Sequence, residues 1–329
     1  MSTAQDLVRA VELALRAPSV HNTQPWRWRI RGLQAELFAD RQRHLTATDP
    51  DQRDLVLSCG AALHHALVAL AGAGHAASVD VQPDPEQRDL LARLRVVAGP
   101  ADPAEAALLP AISARRTDRR RMSHRPVPAW ALRRFADLAD RHGAQLVHVA
   151  GDPMRARLAE VLADAAAQQA AVPGYAVELQ QWSRRYAGSH DGISVGSVAA
   201  PPPGLPGPWP LRPFPRYALH QPPQVPVHAV PDDAAEFVVL VTVGDSVGDR
   251  LRAGTAASAL LLAATAAGMA TTPLSQGIEV PSARDALRRD VLRIPETPQL
   301  MIRIGWPATH AAELPRTPRR DLNAVLLPS

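Results

Sequence analysis

At 329 residues, 46% of them hydrophobic, the chain has room for two compact domains with cores of their own, and a single small domain is excluded. Cys59 is the only cysteine and all 36 cationic side chains are arginine, so an internal disulfide, a thiolate metal cluster, lysine Schiff-base chemistry and a Walker A loop are all excluded. A formal charge of +4 gives no case for nucleic acid, no apolar run nears the roughly 18 residues of a membrane span, and residues 1–6 carry no signal pattern; a cytoplasmic protein with neither partner is expected.

In chain order, Leu7, Val11, Ala14 and Leu15 share one face of a helix over residues 4–17, which Pro18 stops. Trp26, Trp28 and Ile30 alternate with arginines, Arg31-Gly32 turns the chain, and Leu33, Ala35 and Leu37 alternate again, which predicts a hairpin. Leu55, Cys59, Leu63, Leu67 and Leu70 mark a buried helix within 51–74, with short strands following near 78–81 and 91–97. Helices over 103–115 and 128–142 lead to a strand at 145–149 and to two further helices over 152–171 and 174–186. From Pro201 to Pro231 proline is too dense for helix or sheet, and an insertion of this length reads as a lid, a binding loop or a linker. A strand at 236–243, helices at 249–268 and 282–290, and a strand at 299–304 complete an α/β or α+β pattern. One internal repeat stands out: the helix from Gly60 to Gly74 and that from Gly254 to Gly268 have the same glycine separation and the same small-residue face.

Several motifs fail on context. Gly72-Ala-Gly74-His-Ala-Ala77 fits a dinucleotide fingerprint as written, but it ends a helix and precedes a strand, the reverse of the required order. Gly192-Ile-Ser194-Val-Gly196, with Asp245 and His310 downstream, fits a nucleophile elbow, yet no strand leads in and prolines follow. His64 and His65 lie about 100° apart on a helix and cannot jointly clamp a metal, so they read as hydrogen-bonded core histidines and no metal site is expected.

Three motifs survive: Ala17-Pro-Ser-Val-His-Asn-Thr-Gln-Pro-Trp26, Ala114-Arg-Arg-Thr-Asp-Arg-Arg-Arg121 and Pro315-Arg-Thr-Pro-Arg-Arg-Asp-Leu322. Together with SCGAALHHALVAL, DGIS and TTPLSQGIEVPSAR, in this order over nearly the whole chain, they resemble the nitroreductase superfamily, and most closely its Acg-like branch of actinobacterial flavoproteins. Ordinary members are homodimers with FMN at the subunit interface, an arginine motif coming from one subunit and a P-S-x-x-N-x-Q-P-W turn from the other. Here the N-terminal half has only the turn and the C-terminal half only the arginines. The resemblance therefore implies an α+β fold of two tandem degenerate copies, residues 1–102 and 103–329, fused as a pseudo-dimer with one FMN per chain. Such a fused chain is expected to be a monomer.

The resemblance also implies roles. Arg115 with Arg319 or Arg320 would hold the phosphate, with Arg116 beside them, since guanidinium suits bidentate contacts. Arg119 would face the flavin's pyrimidine edge, where a cation raises its potential. Thr117, which stands where serine is usual, Ser19 and Asn22 would bond polar atoms of the ribityl chain or ring, while Pro18, Val20 and His21 shape the pocket. The backbone through Pro273, Leu274, Ser275 and Gln276 would approach the ring's reactive edge, and no side chain is expected to be catalytic in its own right. The implied function is NAD(P)H-dependent reduction of nitroaromatic or quinone-like acceptors. The departure is the proline-rich segment, about 185–231; as a lid it would shut NAD(P)H out and make the chain an FMN-sequestering protein instead.

Overall fold

The computed structural model describes residues 2–183, 185, 188–199, 212, 214–215, 219 and 233–328, so most of the expected lid lies outside the described residues. Helix α1 (Thr3–Ala14) starts on a Ser2/Gln5 capping box and buries Leu7, Ala10, Val11 and Ala14. Strands β1 (Trp26–Arg31) and β2 (Gln34–Ala39) form the expected hairpin. Helix α2 (Arg53–Gly72), β3 (Ala76–Val81) and β4 (Leu90–Val97) follow. The helix expected over 103–115 is two pieces, α3 (Pro103–Ala106) and α4 (Leu109–Ala114), because Pro110 cannot donate in a continuous helix. Then come α5 (Ala129–Arg141), β5 (Gln145–Val149), α6 (Asp152–Ala171), α7 (Tyr175–Ser183), β6 (Glu236–Thr242) and α8 (Val247–Ala266). Strand β7 (Ala270–Leu274), short helices α9 (Gln276–Glu279) and α10 (Pro281–Ala286), β8 (Thr297–Gly305) and α11 (Leu322–Val325) complete the chain.

The strands form two antiparallel four-stranded sheets, ordered β1-β2-β4-β3 and β5-β6-β8-β7. The order is the same when each sheet's strands are numbered from its own start, and in both the second strand slips register against the fourth, at Leu37/Phe38 and at Leu240/Val241. Helices packed around two separate antiparallel sheets make the fold α+β. The first sheet packs one face on α1 and α2 through Trp26, Trp28, Ala35 and Leu37, while Glu36 on its other face takes hydrogen bonds from Arg29 and Arg93. The second sheet is covered on both faces: Val238 and Leu240 meet α5 and α8, and Phe237, Val239 and Val241 meet α6 and α10. That difference explains the alternating pattern of β1 against the unbroken apolar run of β6.

The molecule is joined where α2 crosses α8. Gly60 and Gly254 face each other so closely that a Cβ on Gly60 would lie 2.2 Å from the Leu251 carbonyl oxygen, and one on Gly254 would lie 2.1 Å from that of Leu57. Both helices end alike: Gly74 and Gly268 take positive φ, and the following His75 and Met269 amides reach back to Leu70 and Ala264. Helix α2 is long and apolar enough to cross a membrane by composition, but 83% of its apolar window is buried inside this fold, which makes it a core helix.

Candidate functional site

After α1 the chain cannot continue helically through Pro18, and it enters a turn in which His21, Asn22 and Gln24 all have positive φ, at 45°, 56° and 51°. Side chains without a glycine's freedom hold that shape only when many bonds fix it. Here the Ser58 hydroxyl on α2 accepts from the Val20 amide (3.2 Å), and Ser19 accepts from the Gln24 amide (2.9 Å). Asn22 Nδ2 donates to the carbonyls of Gly192 (3.0 Å) and Pro318 (3.2 Å), and Gln24 Nε2 donates to that of His190 (2.8 Å). The turn, the DGIS segment and the proline-arginine tail, far apart in sequence, are thus one assembly.

The arginine motif follows α4 and lies against β7, the Asp118 amide donating to Thr271 O (3.0 Å) and the Thr272 hydroxyl to Asp118 O (2.6 Å). Arg120 grips Asp118 with two bonds of 2.9 and 2.8 Å and is internal scaffolding. A pocket of about 540 Å³, which Arg121 does not line, is lined by Arg115, Arg116 and Arg119 together with Pro18, Ser19, His21, Asn22, Thr117 and Arg319. None of these four arginines forms an ion pair with a carboxylate among the described residues, and the Nε atoms of Arg115, Arg116 and Arg319 are buried without a partner. Burial, then the neighbouring guanidiniums, pushes Arg115 down to about 10 and Arg319 to about 9; Arg119 falls to about 10 for burial and the nearby Arg212. An anion in this pocket would relieve all three at once.

The pocket opens into a larger, mainly apolar cleft of about 1050 Å³, with which it shares Pro18, Ser19, His21, Thr117 and Arg119. Its walls come from the turn, from α2 (Asp54, Leu57, Ser58, Ala61), from α8 (Ala257, Leu261), and from Pro273, Leu274, Ser275 and Gln276 at the end of β7 and the start of α9. Every expected site residue lines one cavity or the other except Arg320. Its amide donates to Gln24 Oε1 (2.8 Å) and its guanidinium to Gln24 O (3.2 Å) and Ala324 O (2.7 Å), so it fastens the tail to the turn. Asn22 also has less freedom than expected, since its amide nitrogen is used twice and only Oδ1 is unpartnered.

The structure adds residues that sequence reasoning missed. Asp54 is buried in the cleft wall, and burial, then the charges of Asp49 and Glu279 and a side-chain hydrogen bond with Glu279, raises its carboxyl well above the usual range, which favours the protonated form as the donor to Glu279. Glu279, which burial alone would raise, is instead held low by Arg212, whose guanidinium makes bonds of 2.5 and 2.6 Å to it. His21 is driven the other way: burial, then Arg212 and Arg119, keeps its ring neutral, with both nitrogens unpartnered. Phe214 lines the cleft, its ring 5.3 Å from the Arg119 guanidinium and 6.2 Å from the His21 ring. The α2 and α8 residues carry no chemical signal in sequence, but their small size and helical spacing mark the face that approaches another helix.

No family model matches the chain. It is 42% identical over 324 residues to a Mycobacterium tuberculosis protein provisionally named NAD(P)H nitroreductase Rv3131, covering 98% of this chain and 91% of that one. It is 34% identical over 339 residues to that organism's protein provisionally named NAD(P)H nitroreductase Acg, covering 99% and 96%. Among solved structures, the FMN-dependent nitroreductase NfnB from Mycobacterium smegmatis in complex with NADPH overlaps 68% of this chain and 98% of its own, at 18% identity and a TM-score of 0.42. A nitroreductase with bound FMN from Bacteroides fragilis overlaps 62% and 90%, at 16% identity and a TM-score of 0.38.

Proposed function

Because the chain belongs to the nitroreductase family, in the branch that includes Acg, we propose that it is an FMN-binding oxidoreductase passing reducing equivalents from NAD(P)H to nitroaromatic or quinone-like acceptors. The observation that carries the cofactor is the arginine pocket: four guanidiniums, none of them ion-paired to a described carboxylate, line a pocket adjoining a mainly apolar cleft, the donor set a phosphate on an aromatic ring system requires. Arg115, Arg116 and Arg319 would take the phosphate, Thr117, Ser19 and Asn22 Oδ1 the polar linker, and Arg119 the pyrimidine edge of the ring, which becomes more negative on reduction. Bound there, FMN would supply a two-electron carrier. The protein's part is to hold and shield: Leu57, Ala61, Ala257 and Leu261 exclude water from one side, and neutral His21 and Asp54 give the cleft two polar groups that carry no charge.

Residues 1–102 and 103–329 are, on this reading, two degenerate copies of one unit, sharing one flavin in a monomer. Equal strand order, the matching register slip, the like-capped helices and the Gly60–Gly254 contact support it. The turn comes from the first unit and the arginines from the second, so neither has a complete site alone.

A second reading, FMN sequestration, is favoured by one observation. Arg212 and Phe214, from the proline-rich segment, line the cleft itself, Arg212 anchored by its buried pair with Glu279. An anaerobic absorbance spectrum of FMN-loaded protein, recorded before and after NADPH or NADH, separates the two. Loss of the oxidised band followed by reoxidation with a quinone is the expected result. A band that survives nicotinamide but is bleached by dithionite assigns sequestration, and failure to retain FMN at all refutes both.

A further inference from the structure

Away from the cleft, on the far side of the α2–α8 crossing, three potential metal ligands converge. His64 lies in the middle of α2, Glu105 is in α3, and His142 caps the C-terminus of α5. Nε2 of His64 is 2.9 Å from Glu105 Oε2, Nε2 of His142 is 3.2 Å from Glu105 Oε1, and one ligand atom from each residue lies within 4.8 Å of the others. The two rings stand 4.8 Å apart at 89° to one another.

These distances suit two ordinary imidazole–carboxylate hydrogen bonds, but the directions do not. His64 Nε2, His142 Nε2 and Glu105 Oε2 are all buried and none has an aligned hydrogen-bond partner. Nitrogens and a carboxylate oxygen that crowd together without pointing at one another are arranged as they would be around a shared central atom. Tetrahedral zinc, with bonds of about 2.0–2.1 Å, sets its ligand atoms about 3.3 Å apart.

The surroundings are those of a prepared site. His64 Nδ1 lies 2.8 Å from the Ser258 hydroxyl on α8, which His65 Nδ1 also meets at 2.9 Å; with His64 Nδ1 as the donor this is the outer hydrogen bond that fixes a ligating ring and leaves Nε2 bare. Asp102 receives the Ala104 amide at the start of α3 (2.8 Å) and also pairs with Arg141 in the last turn of α5 (2.6 Å), which holds Glu105 beside His142 by bonds outside the cluster.

We propose that His64, Glu105 and His142 form a three-ligand site for a zinc-type divalent transition ion, oriented by Ser258, that pins α3 and α5 to α2. Two nitrogens and one carboxylate favour such an ion over magnesium or calcium, which take oxygen ligands. The site rests on residues the flavin reading does not use, so it stands or falls separately. Bound metal would clamp the connection between the two units, a structural rather than redox part.

Isothermal titration of the chelator-treated full chain, carrying no polyhistidine tag, with zinc chloride tests this directly. One equivalent should bind with micromolar or tighter affinity and raise the melting temperature. Binding should weaken tenfold or more in Glu105→Gln and His142→Gln, while exposed His310→Gln leaves it unchanged. Melting without metal reports whether the variants fold. Should a ligand variant fail to fold, Ser258→Ala, which keeps all three ligands, decides the matter with an expected loss of about tenfold. No one-equivalent binding at millimolar zinc, or equal affinity in the folded variants, overturns the proposal.

Discussion

Replacing Gly60 by alanine adds one methyl group where α2 and α8 cross. Its Cβ would lie 2.2 Å from the Leu251 carbonyl oxygen and 2.9 Å from Gly254 Cα, whereas ordinary contact begins near 3.4 Å, so about 1.2 Å must be found between two backbones. No side chain can swing aside, and the helices must part. Alanine gains about 1 kcal/mol of helix propensity over glycine; overpacking against backbone costs about 3 kcal/mol or more, leaving a net loss of about 2 kcal/mol. With an unfolding entropy of about 2.1 cal/mol/K per residue, the 329-residue chain should then melt about 3 °C lower. Circular dichroism melting without added FMN measures this, with Gly74→Ala as the control: there φ is +86° and the space is open, so only backbone strain of about 1 kcal/mol applies. Gly254→Ala should match Gly60→Ala, and the double variant should lose less than their sum because one separation serves both. A Gly60→Ala protein that melts at or above the wild type would refute the contact.

Arg115→Ala should weaken FMN binding by about ten- to a hundredfold, the loss of a charge-assisted bond of about 1.5–3 kcal/mol; the FMN-free protein should gain stability, since a buried cation with no ion-paired carboxylate is removed. Fluorescence titration with FMN and melting of the apoprotein read the two opposite signs, and unchanged FMN affinity counts against the assignment. Asp54→Asn tests the neutral carboxyl. Its raised folded value means the native state keeps a proton that the unfolded chain releases, so wild-type stability falls as pH rises from the ordinary aspartate range through the raised value. The variant lacks that loss and should gain on the wild type in urea denaturation at about pH 8 but not at about pH 4; an equal difference at both would show that Asp54 titrates normally.

Much of this molecule was legible in the sequence, for reasons that particular residues make plain. The β1–β2 hairpin and β5 follow from strict alternation or a short apolar run, and α2 and α8 from apolar residues at helical spacing. Strand β7 was missed because Ala270-Thr-Thr-Pro-Leu274 contains a proline. It is an edge strand, where the missing N–H costs no ladder bond. The helix expected over 282–290 failed more gently: the chain instead makes α10 and then a wider π-type turn at Leu287–Leu292, continuing the same burial of Leu287 and Val291. Local motifs named the turn and the arginines, but Arg319 and Arg320 look alike in sequence, and only the fold separates the one in the pocket from the one bracing Gln24. Asp54 was hidden within an apparently apolar helix. His142 and Glu105 join His64 through tertiary packing alone, which no spacing rule encodes.

The turn at residues 18–24 makes its distant contacts in an asymmetric way. Asn22 and Gln24 use their side chains, yet what they grip is main chain: the carbonyls of Gly192, Pro318 and His190, and the amide of Arg320. The demand for a given residue type therefore falls on one side of each contact. Positions 190 and 318 can change identity without loss of these bonds, while no other side chain reproduces Asn22's reach at a positive φ. In a saturation library, tolerance should be broad at positions 190 and 318 and collapse at the two amides that grip them, while Gly192, at φ +78° with no room for a Cβ, stays restricted for a different reason.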